Sequence, residues 1–189
     1  MTQQGKNAID LVLAESLIEL SAKKPIDKIT IKEITDKAGV IRPTFYNHFQ
    51  DKYELIEWII KSELLEPIKP LLNAGMIFDT IVLMLNNISA NSVFYKKALK
   101  LEGAVTFNQI AMKCVYEMFM NIISEKSTGK KSKYRWLTPE VISTYYAQSL
   151  CFITEGWIAQ GMDDIEPKEM AEAYMYLITR SMDDILSEL

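Results

Sequence analysis

Apolar side chains recur at helical spacing through almost the whole chain, and no segment alternates between apolar and polar positions as a half-buried strand does. Residues three and four apart share one face of a helix, so each apolar stripe predicts an amphipathic helix. The first stripe stops at Lys23-Lys24-Pro25, where basic residues suit the helix dipole and proline ends the helix. Its members are Ile9, Val12, Leu13, Leu17 and Leu20.

Two short helices separated by a tight turn follow. Thr30 and Glu33 form a capping-box pattern at the start of the second helix, and Gly39 stands where a left-handed turn residue is needed. The third helix is predicted over Arg42–His48, with Pro43 in its first turn, where the missing N–H has no intrahelical partner to lose. This spacing is typical of a helix-turn-helix, whose second helix enters the major groove of DNA.

A fourth helix is predicted to begin after its cap Asp51 and to end near Pro67 and Pro70. The remaining apolar stripes predict further helices, interrupted by a basic loop over residues 126–138. The sequence therefore predicts an all-α protein of about nine helices. A three-helix helix-turn-helix domain is predicted over residues 1–53, and a second helical domain over residues 54–189.

Composition changes this interpretation little. Hydrophobic residues make up 49% and charged residues 24%, which is ordinary for a soluble globular protein. The net charge of −4 argues against a nucleic-acid partner, but residues 1–52 hold eight Lys and Arg against seven Asp and Glu. Phosphate binding depends on the local potential, and five basic residues surround the motif. They are Lys28, Lys32, Lys37, Arg42 and Lys52.

The sequence also bears on compartment. No apolar run approaches the roughly 20 residues needed to cross a bilayer, and the polar N-terminal segment does not read as a secretion signal. We therefore expect a cytoplasmic protein with no membrane partner. Cys114 and Cys151 fall in apolar helical patterns and are interpreted as buried thiols, with a redox-sensing pair as the alternative.

Catalytic patterns are scarce. His48 is the single histidine, and no cysteine or carboxylate pattern with metal-ligand spacing accompanies it. No glycine-rich phosphate loop and no nucleophile signature is present. The sequence predicts neither an enzyme nor a metal or cofactor site.

Four runs of residues carry a more specific signal. They are Thr30-Ile31-Lys32-Glu33-Ile34, Ala38-Gly39-Val40, Thr44-Phe45-Tyr46-Asn47-His48-Phe49 and Asp51-Lys52-Tyr53-Glu54-Leu55. With their spacing, residues 7–60 closely resemble the N-terminal domain of tetracycline-repressor (TetR/AcrR) family regulators. A weaker similarity, to regulators of the dihydroxyacetone-kinase-regulator type, lies in Phe94-Tyr95-Lys96-Lys97 and in residues 156–162.

The resemblance implies DNA contacts position by position. Phosphates would be contacted by Thr30, Thr44, Tyr46, His48 and Lys52. Arg42, Pro43 and Asn47 would face the edges of the bases. Arg42 is a candidate for base recognition because a guanidinium pairs bidentately with guanine. Ile41 departs from the family, which usually has a polar cap there, and losing such a cap costs about 1 kcal/mol. The alternative is a helix-turn-helix that never touches DNA, in which Tyr46, His48 and Phe49 pack against the fourth helix.

The same resemblance implies a C-terminal domain that pairs across a two-fold axis and holds a ligand cavity. Aromatic and methionine side chains supply the candidates, because they are enriched at interfaces and adapt to cavities. For dimerisation they are Tyr146, Ile153, Met170, Tyr174 and Ile178. For ligand binding they are Met84, Phe107, Met112, Tyr116, Phe119, Tyr145, Phe152 and Trp157. Few charged groups accompany them, which favours an apolar or aromatic effector, although each side chain could equally be ordinary core.

Together these expectations describe a ligand-responsive repressor that binds a palindromic operator in double-stranded DNA as a homodimer. Two other classes stay open. One is a TetR-like co-activator or interaction protein controlled by a protein partner. The other is an all-helical enzyme or small-molecule carrier.

Overall fold

The computed structural model describes residues 3–103, 105–126 and 132–188, and within these ranges it is helical with no strand. The N-terminal helices are α1 (Gln3–Ser21), α2 (Ile31–Ala38), α3 (Arg42–Tyr46) and α4 (Lys52–Ile59), with a 3₁₀ turn at Ile26–Lys28. A π-helical segment (Ile60–Leu65) leads into α5 (Glu66–Asn73), α6 (Ile77–Ala90) and α7 (Ser92–Ala98). The chain ends with α8 (Phe107–Lys126), α9 (Pro139–Ala159), α10 (Pro167–Thr179) and α11 (Met182–Glu188). The predicted all-α fold is confirmed.

Local side-chain chemistry sets both ends of α2. The hydroxyl of Thr30 accepts a hydrogen bond from the Glu33 amide at 3.3 Å, and the Glu33 carboxylate accepts one from the Thr30 amide at 2.9 Å. These bonds satisfy two of the amides that the first turn leaves without partners. Gly39 has φ 70° and ends the helix in the left-handed region, where a side chain would be strained. The predicted capping box and turn glycine are both confirmed.

The N-terminal helices bury one apolar core. The core side chains of α1, α2, α3 and α4 have no exposed surface, and they are Leu13, Leu17, Ile34, Phe45, Leu55 and Ile56. The stripe predicted for the first helix only partly faces inward, because Val12 is 40% exposed. Close packing of this core holds the short α3, whose five residues are too few for a helix to be stable alone.

The fourth helix does not end at Pro67 or Pro70, so that boundary prediction is wrong. The chain stays helical from Lys52 through the π-helical segment to Asn73. Pro67 has no amide to bond the carbonyl four residues earlier, that of Glu63. The side chain of Asn87 on α6 donates to this carbonyl at 3.3 Å, which replaces the missing bond.

The C-terminal body is built from helices that pack in pairs. The long helices α8 and α9 pack along one another, and α10 packs on α6. Helix α4 contacts α1 on one side and α8 on the other, so it joins the helix-turn-helix to the body. The boundary between residues 53 and 54 stays a prediction, because α4 packs against helices on both sides of it in the chain.

Three further observations concern the sequence expectations. No single helix in the described ranges is long and apolar enough to cross a bilayer; α6 and α7 qualify only as a pair bent by 87°. Residues 127–131 of the basic loop lie outside the described residues, and residues 132–138 contain no helix. Cys114 and Cys151 are buried free thiols, as predicted, and burial raises the pKa of each to about 12.

Candidate DNA-binding face and regulatory cavities

Helix α3 presents a polar face to solvent and anchors itself through one aromatic side chain. Phe45 has no exposed surface, and Phe49 packs edge-on against Trp58 of α4 with ring centroids 6.4 Å apart. The side chains of Arg42, Pro43, Tyr46 and Asn47 are exposed, and Thr44 is half-buried. Five of the eight predicted DNA contacts therefore lie on or beside one outward surface of α3.

Arg42 is held over the ring of Tyr46 one turn later. Its guanidinium donates to the Tyr46 hydroxyl at 3.0 Å, and its central carbon lies 5.5 Å from the ring centroid. Such a cation–π contact restricts the guanidinium without using most of its five donors. The free donors keep the capacity for the bidentate recognition of guanine that the sequence predicted.

Thr30 is accessible at the start of α2, but its hydroxyl is already engaged. It donates to the Glu33 carboxylate at 2.8 Å and accepts from the Glu33 amide. Glu33 also pairs with Lys24 at 2.5 Å. The Lys24 ammonium, followed by the bonds from Thr30, lowers the pKa of Glu33 to about 2. A phosphate approaching Thr30 would meet this carboxylate.

His48 points into the domain, which departs from the phosphate contact expected of it. Its imidazole side chain is 2% exposed, and Nδ1 lies 2.6 Å from Oδ1 of Asp10 on α1. The Asp10 side chain is 9% exposed. The structure therefore gives this pair a packing role between α1 and the end of α3.

Lys52 is also turned inward. Its ammonium donates to the carbonyls of Ile26, Asp27 and Ile29 at 2.9, 2.8 and 3.2 Å, which uses all three N–H donors. Burial lowers the pKa of Lys52. A lysine in this arrangement closes the 3₁₀ turn between α1 and α2 and has no donor left for phosphate.

Ion pairs also reduce the basic surface expected around the motif. Lys32 pairs with Asp36 at 2.5 Å, and Lys37 pairs with Glu19. Of the five basic residues noted in the sequence, Lys28, Arg42 and Lys52 have no carboxylate within 4 Å among the described residues, and the Lys52 ammonium is engaged by backbone carbonyls. Arg42 thus becomes the main exposed cation of α3.

Two apolar cavities lie inside the C-terminal body. The larger has a volume of about 270 Å³ and lies between α5, α6, α8, α9 and α10. The smaller has a volume of about 50 Å³ and is lined by residues of the π-helical segment, α6, α7, α8 and α9. Met84 and Leu150 line both. We call these spaces the large chamber and the small chamber.

The predicted ligand-binding residues divide into three groups. Met84 lines both chambers, Phe107 the small one and Phe119 the large one. Met112, Tyr116 and Trp157 line neither; Trp157 is 2% exposed and donates from Nε1 to the Ile165 carbonyl at 2.9 Å. Tyr145 and Phe152 lie on the outside of α9, 62% and 77% exposed.

The predicted dimerisation residues are divided between the large chamber and a surface groove. Tyr174 is 3% exposed and lines the large chamber together with Tyr146 and Ile178. Ile153 and Met170 are half-buried beside a surface groove. The structure thus brings three predicted interface residues to the chamber and two predicted ligand residues to the outer surface.

Sequence reasoning missed Asp10, Tyr95 and Thr154. Asp10 lies 38 positions from its partner His48, so no local pattern marks it. Tyr95 and Thr154 line the small chamber, and their hydroxyls have no hydrogen-bond partner among the described residues. Buried polar groups inside apolar helical stripes were the available signal.

Comparisons with known proteins agree with this architecture. The profile of the transcriptional regulator C-terminal region, TetR_C_8, matches residues 76–180, and that of the bacterial regulatory proteins of the tetR family matches residues 15–59. The chain belongs to the TetR family. The predicted resemblance to TetR/AcrR regulators is thereby confirmed, and this TetR-family chain is a transcriptional regulator with a DNA-binding helix-turn-helix.

Individual relatives of this TetR-family protein regulate in both directions. The chain is 26% identical over 152 residues to the HTH-type dhaKLM operon transcriptional activator DhaS of Lactococcus lactis subsp. lactis (strain IL1403), a match covering 79% of each protein. This agrees with the weaker resemblance found in the sequence.

Two solved structures share the TetR fold. That of the dihydroxyacetone kinase operon activator DhaS has a TM-score of 0.63 at 21% identity, covering 90% of this chain and 93% of that one. That of NalD, the secondary repressor of the MexAB-OprM multidrug efflux pump in Pseudomonas aeruginosa, has a TM-score of 0.59 at 13% identity. This structural match covers 92% of this chain and 96% of the NalD chain.

Proposed function

We propose that this TetR-family regulator binds a palindromic operator as a homodimer and that a small molecule in its C-terminal body controls binding. The observation that carries the proposal is the outward face of α3, where Arg42, Pro43 and Asn47 are exposed opposite the buried Phe45. A short helix with polar tips and an apolar anchor suits the major groove. His48 and Lys52 are left out of the proposed contact set, because their polar atoms are engaged inside the domain.

The experiment selects genomic fragments on the purified protein and then titrates the enriched duplex by fluorescence anisotropy. Arg42→Ala should weaken binding to the selected operator by about 1–3 kcal/mol and reduce discrimination against a mutated site. Arg180→Ala is a matched control, because Arg180 stacks on Tyr176 with a similar 5.6 Å separation but lies at the end of α10. Equal operator affinity for the wild type and Arg42→Ala would contradict the proposal.

A second copy is proposed to dock on the outer face of α9. Tyr145, Gln148 and Phe152 are exposed at helical spacing on this face, and Phe152 is 77% exposed. Exposed aromatic clusters are typical of protein interfaces. Phe152→Glu should convert the dimer to a monomer in analytical ultracentrifugation and weaken operator binding, whereas Met76→Glu, at another exposed apolar residue, should change neither. A dimer that survives Phe152→Glu would refute this interface.

Control by a ligand is supported by the connection between the small chamber and α4. The π-helical segment lines the small chamber through Ile60 and Leu64 and continues directly from α4. Lys61 in this segment pairs with Glu57 of α4 and Glu117 of α8, each at 2.7 Å. π-Helical turns frequently occur at functional sites. A ligand that changes the segment would therefore bias α4 and shift the population of DNA-competent dimers.

Activation is the second candidate for the sign of regulation. It is favoured by the relative DhaS, which is described as a transcriptional activator. The two signs are distinguished with a reporter gene behind the selected operator, in cells with and without the regulator. Lower expression in the presence of the regulator indicates repression, and higher expression indicates activation.

A further inference from the structure

The two chambers of the C-terminal body share two of their lining residues. Met84 and Leu150 line both chambers, Met84 from α6 and Leu150 from α9. Methionine is unbranched and has three rotatable side-chain bonds, so it changes rotamer at little cost. A rotation of the Met84 side chain would open the large chamber into the small one.

The small chamber is lined by two residues with buried hydroxyl groups, and its other lining residues are apolar except for Glu155. Tyr95 is 1% exposed, and its hydroxyl has no hydrogen-bond partner among the described residues. The same holds for the buried hydroxyl oxygen of Thr154. An unpaired buried hydroxyl is unfavourable, and native proteins usually satisfy it with protein, water or ligand. Each hydroxyl can both donate and accept.

Charge is nearly absent from both chambers. Among the described residues, Glu155 is the single charged residue in the two linings, and its carboxylate accepts from Asn108 at 2.6 Å. Burial raises the pKa of Glu155 against the opposing effect of Asn108. An anion would meet a carboxylate here and no basic partner. A neutral molecule fits this lining better than an anion, since burying an unpaired charge is costly. The one partner for a cation would be Glu155, whose carboxylate is already engaged by Asn108.

We propose that the two chambers are halves of one effector site gated by Met84, and that the effector is an uncharged amphipathic molecule. Its apolar body occupies the large chamber, and its hydroxyl or carbonyl group passes Met84 to hydrogen-bond with Tyr95 and Thr154. This inference rests on the proposed control by a small molecule and names the chemistry of that ligand. A space of about 270 Å³ accommodates a ring or short chain, and the small chamber, of about 50 Å³, accommodates a terminal polar group.

The test compares four probes that share one apolar body and differ at one end. These are 4-phenyl-1-butanol, butylbenzene, 4-phenylbutylamine and 4-phenylbutyrate, each titrated into the full-length protein without DNA. Isothermal titration calorimetry measures affinity, and methyl NMR locates the probe. The alcohol is expected to bind at least tenfold more tightly than the other three, because one added hydrogen bond is worth about that factor. It should shift methyl signals of Ile178 in the large chamber and of Ile88 in the small one.

Variants identify the hydrogen-bonding groups. The double variant Tyr95→Phe/Thr154→Val keeps the side-chain volumes and should lower the affinity of the alcohol about tenfold while leaving that of butylbenzene unchanged. Tyr176→Phe is the matched control, because the Tyr176 hydroxyl donates to Glu188 outside both chambers. Met84→Phe, with a stiffer side chain at the gate, should abolish the preference for the alcohol over butylbenzene.

Four outcomes would overturn the inference: no binding of the alcohol at millimolar concentration, equal affinities for the alcohol and butylbenzene, tighter binding of either ion, or unchanged alcohol affinity in the double variant. Circular dichroism of each variant establishes that it is folded. Because these titrations contain no DNA, a failure of operator binding leaves the ligand result intact. A ligand that binds without changing operator affinity would instead contradict the proposed control.

Discussion

Asp10 and His48 form a buried pair that fastens α1 to the end of α3. Oδ1 of Asp10 lies 2.6 Å from Nδ1 of His48, and their side chains are 9% and 2% exposed. The pair joins α1 to the residues that directly follow α3. A polar pair of this kind stabilises a domain only while both partners remain, because either one alone is a buried group without a partner.

Asp10→Ala should therefore destabilise the protein by about 1–3 kcal/mol, since it leaves the His48 imidazole unpaired. Asp10→Asn retains an oxygen acceptor and should cost less. Urea unfolding followed by circular dichroism measures both variants, with Glu15→Ala at an exposed position of α1 as the control. An unfolding midpoint for Asp10→Ala equal to that of the control would show that the pair has no stabilising role.

Lys52 provides a test between a structural and a phosphate-binding role. Lys52→Met retains most of the aliphatic stem but removes the donor from three carbonyls, so a loss of about 1–3 kcal/mol in the free energy of unfolding is expected. Lys28→Met, at an exposed lysine of the same turn, should change stability by less than about 0.5 kcal/mol.

The salt dependence of operator binding then separates the two roles of Lys52. Each phosphate contact adds about 0.9 to the slope of log affinity against log salt concentration. We expect Lys52→Met to leave this slope unchanged, because the ammonium is engaged within the domain. A slope reduced by about 0.9 would mean instead that Lys52 leaves its carbonyls and contacts phosphate, as the sequence had suggested.

The structural features that the sequence predicted correctly are those formed between residues within about one helical turn of each other. The bond pattern of Thr30 with Glu33 and the left-handed conformation of Gly39 both follow from local backbone geometry. The inward orientation of His48 and Lys52 depends on partners 23 to 38 residues away. For Lys52 the acceptors are backbone carbonyls, which leave no signature in the sequence.

Helix α9 illustrates a second limit. Tyr145 and Tyr146 are consecutive aromatic residues, and helical periodicity separates them by about 100° without fixing which one faces the core. In the structure Tyr145 is 62% exposed, whereas Tyr146 lines the large chamber. Because α9 has apolar residues on more than one face, the neighbouring helices decide the assignment.

The Glu33 cap predicts the response of the protein to acid. The pKa of Glu33 is about 2 in the folded protein, below its ordinary value of 4.5. A carboxylate with a lowered pKa stabilises the fold above its unfolded-state pKa, and this contribution is lost as the pH falls towards the folded-state pKa. Stability should therefore decline between about pH 4.5 and pH 2 in part through this group.

Urea midpoints measured from pH 7 to pH 2 check this expectation. Glu33→Gln cannot titrate, so the acid part of its stability profile should be flatter than that of the wild type. Glu15→Gln, at an exposed position of α1, supplies the comparison for simply removing one carboxylate. Parallel profiles for Glu33→Gln and the wild type would rule out a contribution from the cap.

Ile41 occupies the N-cap of α3 without capping it, and this position offers a stabilising substitution. Its side chain is 69% exposed and makes no cap hydrogen bond, although its φ of −83° and ψ of 152° are suited to a cap. Ile41→Ser should therefore raise the free energy of unfolding by about 0.5–1 kcal/mol, because a serine hydroxyl can accept from an amide of the first turn. Ile41→Ala removes the same exposed surface without supplying an acceptor, so it separates capping from the loss of apolar area. If both variants unfold at the same urea concentration, the cap contributes nothing and the isoleucine is not a structural deficit of α3.

Operator titrations of the same pair then report whether the exposed isoleucine contributes apolar contact with a thymine methyl, since both variants would lose affinity alike.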